Sequence, residues 1–223
     1  MKLEVIDAGV MAYRTAWDEQ LKLHERVLSG ELAAGFLMLV EHLPVVTVGR
    51  RGDALRNVLA LREGVEVVET DRGGDVTFHG PGQLVVYPII PLNAYGMNLH
   101  GYMRFLEEVV IGVLRGYGIE GERSEGATGV WVRSDPASRG GGGVELEKIC
   151  AMGVKLKRWV TLHGLALNVT TDLTYFDMVN PCGLGRPVTS MAKVMGGRMP
   201  MMSEVKERMV REFERLLRSS SWQ

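Results

Sequence analysis

The amino-acid sequence predicts an α/β (α+β) fold, in which a central mixed, largely antiparallel sheet is flanked by helices. Three observations lead there. Residues 3–28 and 83–117 each pass from a strand pattern into an apolar stripe of helical spacing. Residues 130–132, 148–156 and 160–169 then read as three successive strands with little helix between them, which favours antiparallel neighbours over a doubly wound nucleotide fold. Finally, 223 residues without a Pro/Ser-rich linker match the size at which one α/β domain buries a sizeable core, so a single domain over residues 1–223 is expected.

Taken in order, residues 3–7 alternate like a short strand, and Tyr13, Trp17, Leu21 and Leu28 follow near helical spacing on a core-facing helix. Residues 43–48 are β-branched and close at Gly49, while residues 65–70 have strand composition until Asp71, Arg72, Gly73 and Gly74 break it. Residues 83–90 read as a buried strand, and Phe105, Val109 and Val113 mark a packed helix over 100–117. Glycines 140–143 lie between two of the later strands; with no side chains to pack, they predict a mobile hairpin connection. Behind Ser203, taken as its cap, Val205, Met209, Phe213 and Leu216 recur every three or four residues, predicting a terminal amphipathic helix. Lys206, Arg208, Arg211 and Arg215 occupy its other faces.

A hydrophobic fraction of 46% with 24% charged residues argues against both disorder and a membrane protein. Lys+Arg 26 against Asp+Glu 27 gives no global field for nucleic acid, so any basic docking surface is local. Charges interrupt the apolar residues of the first segment, and no later run reaches ~20 apolar residues, so neither a signal peptide nor a span is expected. Cytoplasmic residence follows. Cys150 and Cys182 are too few for a disulfide scaffold or, alone, a zinc site; both are expected to be free thiols, and no metal is expected.

Cys182 lies in Asn180-Pro181-Cys182-Gly183, a turn-like context suited to an exposed nucleophile, whereas Cys150 sits in a strand pattern and is expected to be buried. A thiol with a pKa of ~8.5 needs a cation, helix N-terminus or base nearby. Of the five histidines, His24 and His100 fall on predicted helices and read as structural or surface residues. His79 and His163, each followed by Gly, remain, together with Lys148 at the mouth of a predicted strand, where partial desolvation would favour loss of its proton. Composition and spacing leave these three open. Residues 72–83, dense in Gly and polar donors, can run their backbone along a ligand or form a plain hairpin turn.

Ordered blocks narrow the choice. Glu41 to Gly49 (EHLPVVTVG), Arg72 to Tyr87 with its Arg-Gly-Gly-x-x-Thr-aromatic-His-Gly-x-Gly-Gln pattern, Thr128-Gly129-Val130-Trp131-Val132, Lys148 to Gly153, His163 to Val169 and Asn180-Pro181-Cys182-Gly183 together resemble the lipoyl(octanoyl) transferase family. The resemblance implies the sheet-and-helix fold of the biotin and lipoate protein ligase catalytic domain. It also implies a Cys/Lys dyad, with Cys182 taking the acyl group as a thioester and Lys148 as the activating base. An acyl pocket is implied at Arg72, Gly73, Gly74, Asp75, Val76, Thr77, Phe78 and His79, at Ala151, Met152 and Gly153, and at Gly164, Leu165 and Ala166. Backbone N–H groups around residues 164–166 are the expected oxyanion donors.

On this resemblance octanoyl-acyl carrier protein is the expected donor. Lipoyl domains of 2-oxoacid dehydrogenase E2 subunits and the glycine cleavage H protein are the expected acceptors, with no cofactor and a monomeric enzyme. Because acyl carrier protein is acidic, Arg50, Arg51, Lys155, Lys157 and Arg158 are expected to form a basic rim. The competing expectations are an ATP-dependent lipoate or biotin protein ligase, which has no need of Cys182, and octanoyl transfer between two lipoyl domains. A noncatalytic carrier-binding module would need neither Cys182 nor Lys148.

Overall fold

The computed structural model describes residues 3–51, 54–133, 145–180 and 186–219; Cys182 with its turn and the glycines 140–143 lie outside them. The order is β1 (Glu4–Met11), α1 (Tyr13–Leu28), β2 (Phe36–His42), β3 (Val45–Val48), β4 (Glu66–Glu69), β5 (Val76–His79), β6 (Gln83–Ile89), α2 (Leu99–Arg115), β7 (Glu122–Ser124), β8 (Ala127–Arg133), β9 (Leu146–Lys157), β10 (Val160–Asn168), α3 (Met191–Val194) and α4 (Met202–Leu217). Seven strands form one sheet in the order β1-β2-β6-β10-β9-β8-β7, and three form a second in the order β4-β3-β5. The large sheet is antiparallel except for β1–β2, which α1 joins as a crossover. This is the mixed, largely antiparallel architecture that the sequence predicts.

Alternation along β2 sets the layers. Leu37 and Leu39 face a core shared with α2 and α4, whereas Phe36, Met38 and Val40 face Ala16, Leu23 and Val27 of α1. Phe105 of α2 meets Phe213 of α4 edge-on at 4.9 Å; fully burying side chains of this size contributes roughly 1.5–3 kcal/mol each. The small sheet has its own core, in which Val46, Val48, Val76 and Phe78 pack with Phe176 and Met178. Tyr13 and Trp17, at the start of α1, pack on Val45 and Val68 and so tie the two sheets together.

Several expectations change. The strand expected over residues 43–48 is β3 at Val45–Val48, but β2 just before it has no counterpart among the expected strands, because its buried run Phe36–Val40 lacks the period-2 signal by which strands are read. β1 continues to Met11 through a bulge at Asp7/Val10 beside Gly9, whose φ is 62°. Residues 76–79 form a strand rather than a loop or turn. Ser203 lies inside α4, whose N-cap is Met201 without a side-chain bond; α2, in contrast, is capped by Asn98 Oδ1, which accepts from Gly101 N at 2.8 Å. Among the described residues, no helix is long and apolar enough to cross a membrane.

Candidate active site

A cavity of about 650 Å³ opens between the two sheets, within the ~300–1,000 Å³ range of small-molecule sites. Its walls take Tyr13 from α1, Arg72 to Thr77 and His79 from the small-sheet side, Val85 and Tyr87 from β6, Lys148 and Ala151 to Val154 from β9, and His163 to Ala166 from β10. The structure therefore brings together Lys148, Arg72, Gly73, Gly74, Asp75, Val76, Thr77, His79, Ala151, Met152, Gly153, Gly164, Leu165 and Ala166. Phe78 is the exception among the described site residues. Its ring turns from the cavity and stacks on Tyr175 at 4.8 Å, as strand alternation between Thr77 and His79 requires.

Glycines thin one wall. Gly153 and Gly164 face each other across β9 and β10. A Cβ on Gly153 would meet Gly73 O at 2.7 Å and Arg72 Cδ at 3.1 Å, and one on Gly164 would meet Val86 O at 2.1 Å. Close approach of three backbones thus requires residues without side chains.

At one end stands Lys148, half-buried, with Nζ 4.6 Å from the centre of the Trp131 ring; the Arg186 guanidinium is 5.2 Å from the same centre. Lys148 N donates to Pro187 O at 2.9 Å, and Thr189 N donates to Lys148 O at 2.9 Å. On the other flank of residues 181–185, Asn180 N donates to Asn57 O at 2.8 Å. Cys182 itself is outside the described residues. Cys150 is fully buried in the α2/α4 core, and that burial pushes its thiol well above its ordinary value, so the expectation that it is a packing residue holds.

The opposite end holds a cage of buried imidazoles and phenols. His42 Nδ1–H donates to Met11 O at 3.1 Å, which leaves Nε2 to accept from Tyr87 OH at 2.8 Å; burial pulls this imidazole down to about 4. Gln83 Nε2 donates to Phe78 O and Asn168 Oδ1, so Gln83 Oε1 accepts from His79 Nδ1 at 2.6 Å. The other His79 nitrogen then faces Thr47 Oγ1 at 3.3 Å, and that oxygen accepts from Arg72 Nη2 at 2.9 Å. Burial first, then the neighbouring His42, holds His79 well below its usual value and so neutral. His163 Nε2 donates to Asp71 Oδ1 at 2.7 Å, its Nδ1 lies 3.4 Å from Tyr13 OH, and Lys155 binds the other Asp71 oxygen. Burial raises the Asp71 carboxyl, but the hydrogen bonds from Lys155 and His163 together outweigh it and leave it lowered. His163 adopts φ 59°, a conformation unfavourable for a side chain, and is held there by Asp71 and by Gln20 Oε1, which accepts its N–H at 2.9 Å.

The family model of the lipoyl protein ligase A/B catalytic domain matches residues 12–214. Octanoyltransferases of Gloeobacter violaceus and Chloroflexus aurantiacus are 46% and 47% identical, covering 86% and 91% of this chain and 81% and 88% of theirs. The chain belongs to the octanoyltransferase family. Solved structures share the fold at low identity. The bipartite lipoate protein ligase of Thermoplasma acidophilum has a TM-score of 0.71 at 17% identity, covering 97% of this chain and 84% of that one. Lipoate-protein ligase A bound with ATP has a TM-score of 0.70 at 16%, covering 97% and 86%.

Within this octanoyltransferase-family site, two expectations need correction. Leu165 and Ala166 pair with β6 on one side and β9 on the other, so their N–H groups are committed to the sheet ladders rather than available to an oxyanion. Lys155 is engaged with Asp71 beside the His163 cage and does not stand as a free rim charge; Lys157 and Arg158 are exposed at the β9–β10 hairpin, and Arg50 and Arg51 are exposed near Arg72. Tyr13, His42, Asp71, Tyr87, Trp131 and Arg186 escaped the sequence reading as site residues. Only their assembly in space marks them, since Tyr13 reads as a core-facing helix position, Trp131 as a strand residue and Asp71 as a strand breaker.

Proposed function

We propose that this chain transfers an octanoyl group from acyl carrier protein, through a thioester on Cys182, to the N6-amino group of a lysine on lipoyl domains such as those of 2-oxoacid dehydrogenase E2 subunits and the H protein. One observation carries the proposal. Lys148 sits at the end of an acyl-sized cavity, and residues 187 and 189, just beyond the Cys182 turn, are hydrogen-bonded to its backbone. Family membership and names of the relatives support the octanoyl group and the transferase class.

In the first half-reaction Lys148, as the free amine, takes the Cys182 proton; the thiolate attacks the carrier thioester, the carbon–sulfur bond to the carrier breaks, and the carrier thiol leaves with the proton held by Lys148. In the second, the acceptor lysine amine attacks the acyl-cysteine, Lys148 accepts its proton, and Cys182 is released. Ping-pong kinetics follows. The cavity between Lys148 and the Gly153/Gly164 pair receives the chain in extended form, with Val85, Met152 and Leu165 supplying apolar contact.

Incubation with octanoyl-acyl carrier protein, read by intact mass, tests the proposal. One hydroxylamine-labile octanoyl adduct is expected on the wild-type chain, none on Cys182→Ala, and slow formation on Lys148→Met. Turnover without an adduct, or ATP-dependent activity retained by Cys182→Ser, would replace transfer with the ligase chemistry of the structural relative bound with ATP.

A further inference from the structure

The segment between β3 and β4 is unusually apolar for an exposed stretch. Leu55, Leu59 and Leu61 are 57%, 63% and 48% exposed, and they fall within seven residues. Arg56 and Arg62 are exposed beside them, with Arg50 and Arg51 just before. Residues 50–62 thus carry four arginines against the single acid Asp53, in a chain whose formal net charge is −1.

This segment is bonded to the chain that leads into the Cys182 turn. Leu59 N donates to Met178 O at 2.8 Å, Val58 bridges Val179, and Asn180 N donates to Asn57 O. Arg62 clamps Thr174, with its guanidinium 4.6 Å from the centre of the Tyr175 ring. Asn57 Nδ2 reaches the cavity-lining Asp75 at 2.8 Å, and Arg51 lines the cavity mouth. The leucines and arginines therefore lie on a segment that is bonded to residues 178–180, directly before residues 181–185 in the chain, and that touches the cavity lining through Asn57.

We infer that the surface of residues 55–62 is the docking face for the acidic acyl carrier protein, engaging apolar side chains of the carrier through Leu55, Leu59 and Leu61 and its carboxylates through Arg56 and Arg62. The inference rests on the transferase reading above and specifies which partner uses this face. Charge complementarity selects an acidic partner, and fixed attachment of the face to the nucleophile's segment suits a partner that delivers its thioester to Cys182. Exposed leucines interspersed with arginines along residues 55–62 offer the apolar contact with polar neighbours that such interfaces use.

The two half-reactions separate the outcomes. Leu59→Glu and Arg56→Glu, both away from the cavity lining, are compared with wild type in three single-turnover assays: acylation by octanoyl-acyl carrier protein, acylation by an octanoyl thioester of a small thiol, and transfer from pre-formed acyl-enzyme to a lipoyl domain. The expected result is a roughly tenfold or greater loss of kcat/KM, about 1.4 kcal/mol, for the carrier alone, with the other two rates unchanged. A loss confined to the lipoyl-domain step would assign the face to the acceptor and overturn the inference. So would an equal loss with the small thioester, or no loss in any assay. If wild type gives no acyl-enzyme with either thioester, the transferase reading fails and the docking face falls with it.

Discussion

His42 offers a measurement in which sign and size both follow from its surroundings. The imidazole is fully buried, its two nitrogens are used in the neutral form by Met11 O and Tyr87 OH, and its pKa drops from 6.5 to about 4. As pH falls below 6.5 the unfolded chain takes up a proton at this position that the folded chain refuses until pH approaches 4, so stability declines across that window and the full penalty is reached below it. At pH 5 this single group removes about 2 kcal/mol relative to pH 7.5, and roughly 3 kcal/mol in the acid limit. Urea unfolding of wild type and His42→Asn at both pH values isolates the contribution, since the asparagine amide can keep a donor near Met11 O but does not titrate. The variant should be less stable at pH 7.5, yet lose about 2 kcal/mol less than wild type on acidification. Parallel stability–pH curves for the two proteins would refute a neutral, desolvated His42.

Two further substitutions probe a wall of the cavity and the buried thiol of Cys150. Gly164→Ala drives a methyl against Val86 O at 2.1 Å and Pro88 Cδ at 2.8 Å, both part of a central strand that cannot step aside; a cost of about 1–3 kcal/mol is expected, seen as a Tm lowered by roughly 3–10 °C in a thermal melt. Cys150→Ala should leave the octanoyl adduct at full stoichiometry in the mass assay while costing about 1 kcal/mol of stability, because Cys150 belongs to the α2/α4 core. An adduct lost in that variant would move the nucleophile away from Cys182.

The sequence disclosed those parts of the fold whose residues carry a period. The helical stripe of Phe105, Val109 and Val113 and the strand patterns over residues 148–156 and 160–169 became the elements they predict, α2, β9 and β10. β2 was hidden by its own burial on two sides, and β7, three residues long, is too short to show a period. The segments that line the cavity, residues 72–77, 151–153 and 164–166, stood out through local pattern and family resemblance. The cage was not, for its members come from α1, β2, the β4–β5 connection, β5, β6 and β10, and their only shared property is convergence in space.

That cage also connects with the end of the cavity where Lys148 stands. From Arg72 the chain of contacts passes to Thr47, His79, Gln83 and Asn168, whose Nδ2 donates to Thr189 O at 2.9 Å; Thr189 N in turn donates to Lys148 O. Each amide in the series is oriented by the one before it, so the arrangement is consistent with a neutral His79 that donates from Nδ1. A proton added to His79 would leave Nε2–H facing the Thr47 hydroxyl and the Arg72 guanidinium with no lone pair to offer, and its charge would oppose both Arg72 and His163. Burial thus does more than exclude water from the distal end of the cavity. By keeping His79 neutral, it preserves the tautomer on which the alignment of Gln83 and Asn168 depends, and through Thr189 it helps fix the segment 187–189 that is hydrogen-bonded to the Lys148 backbone.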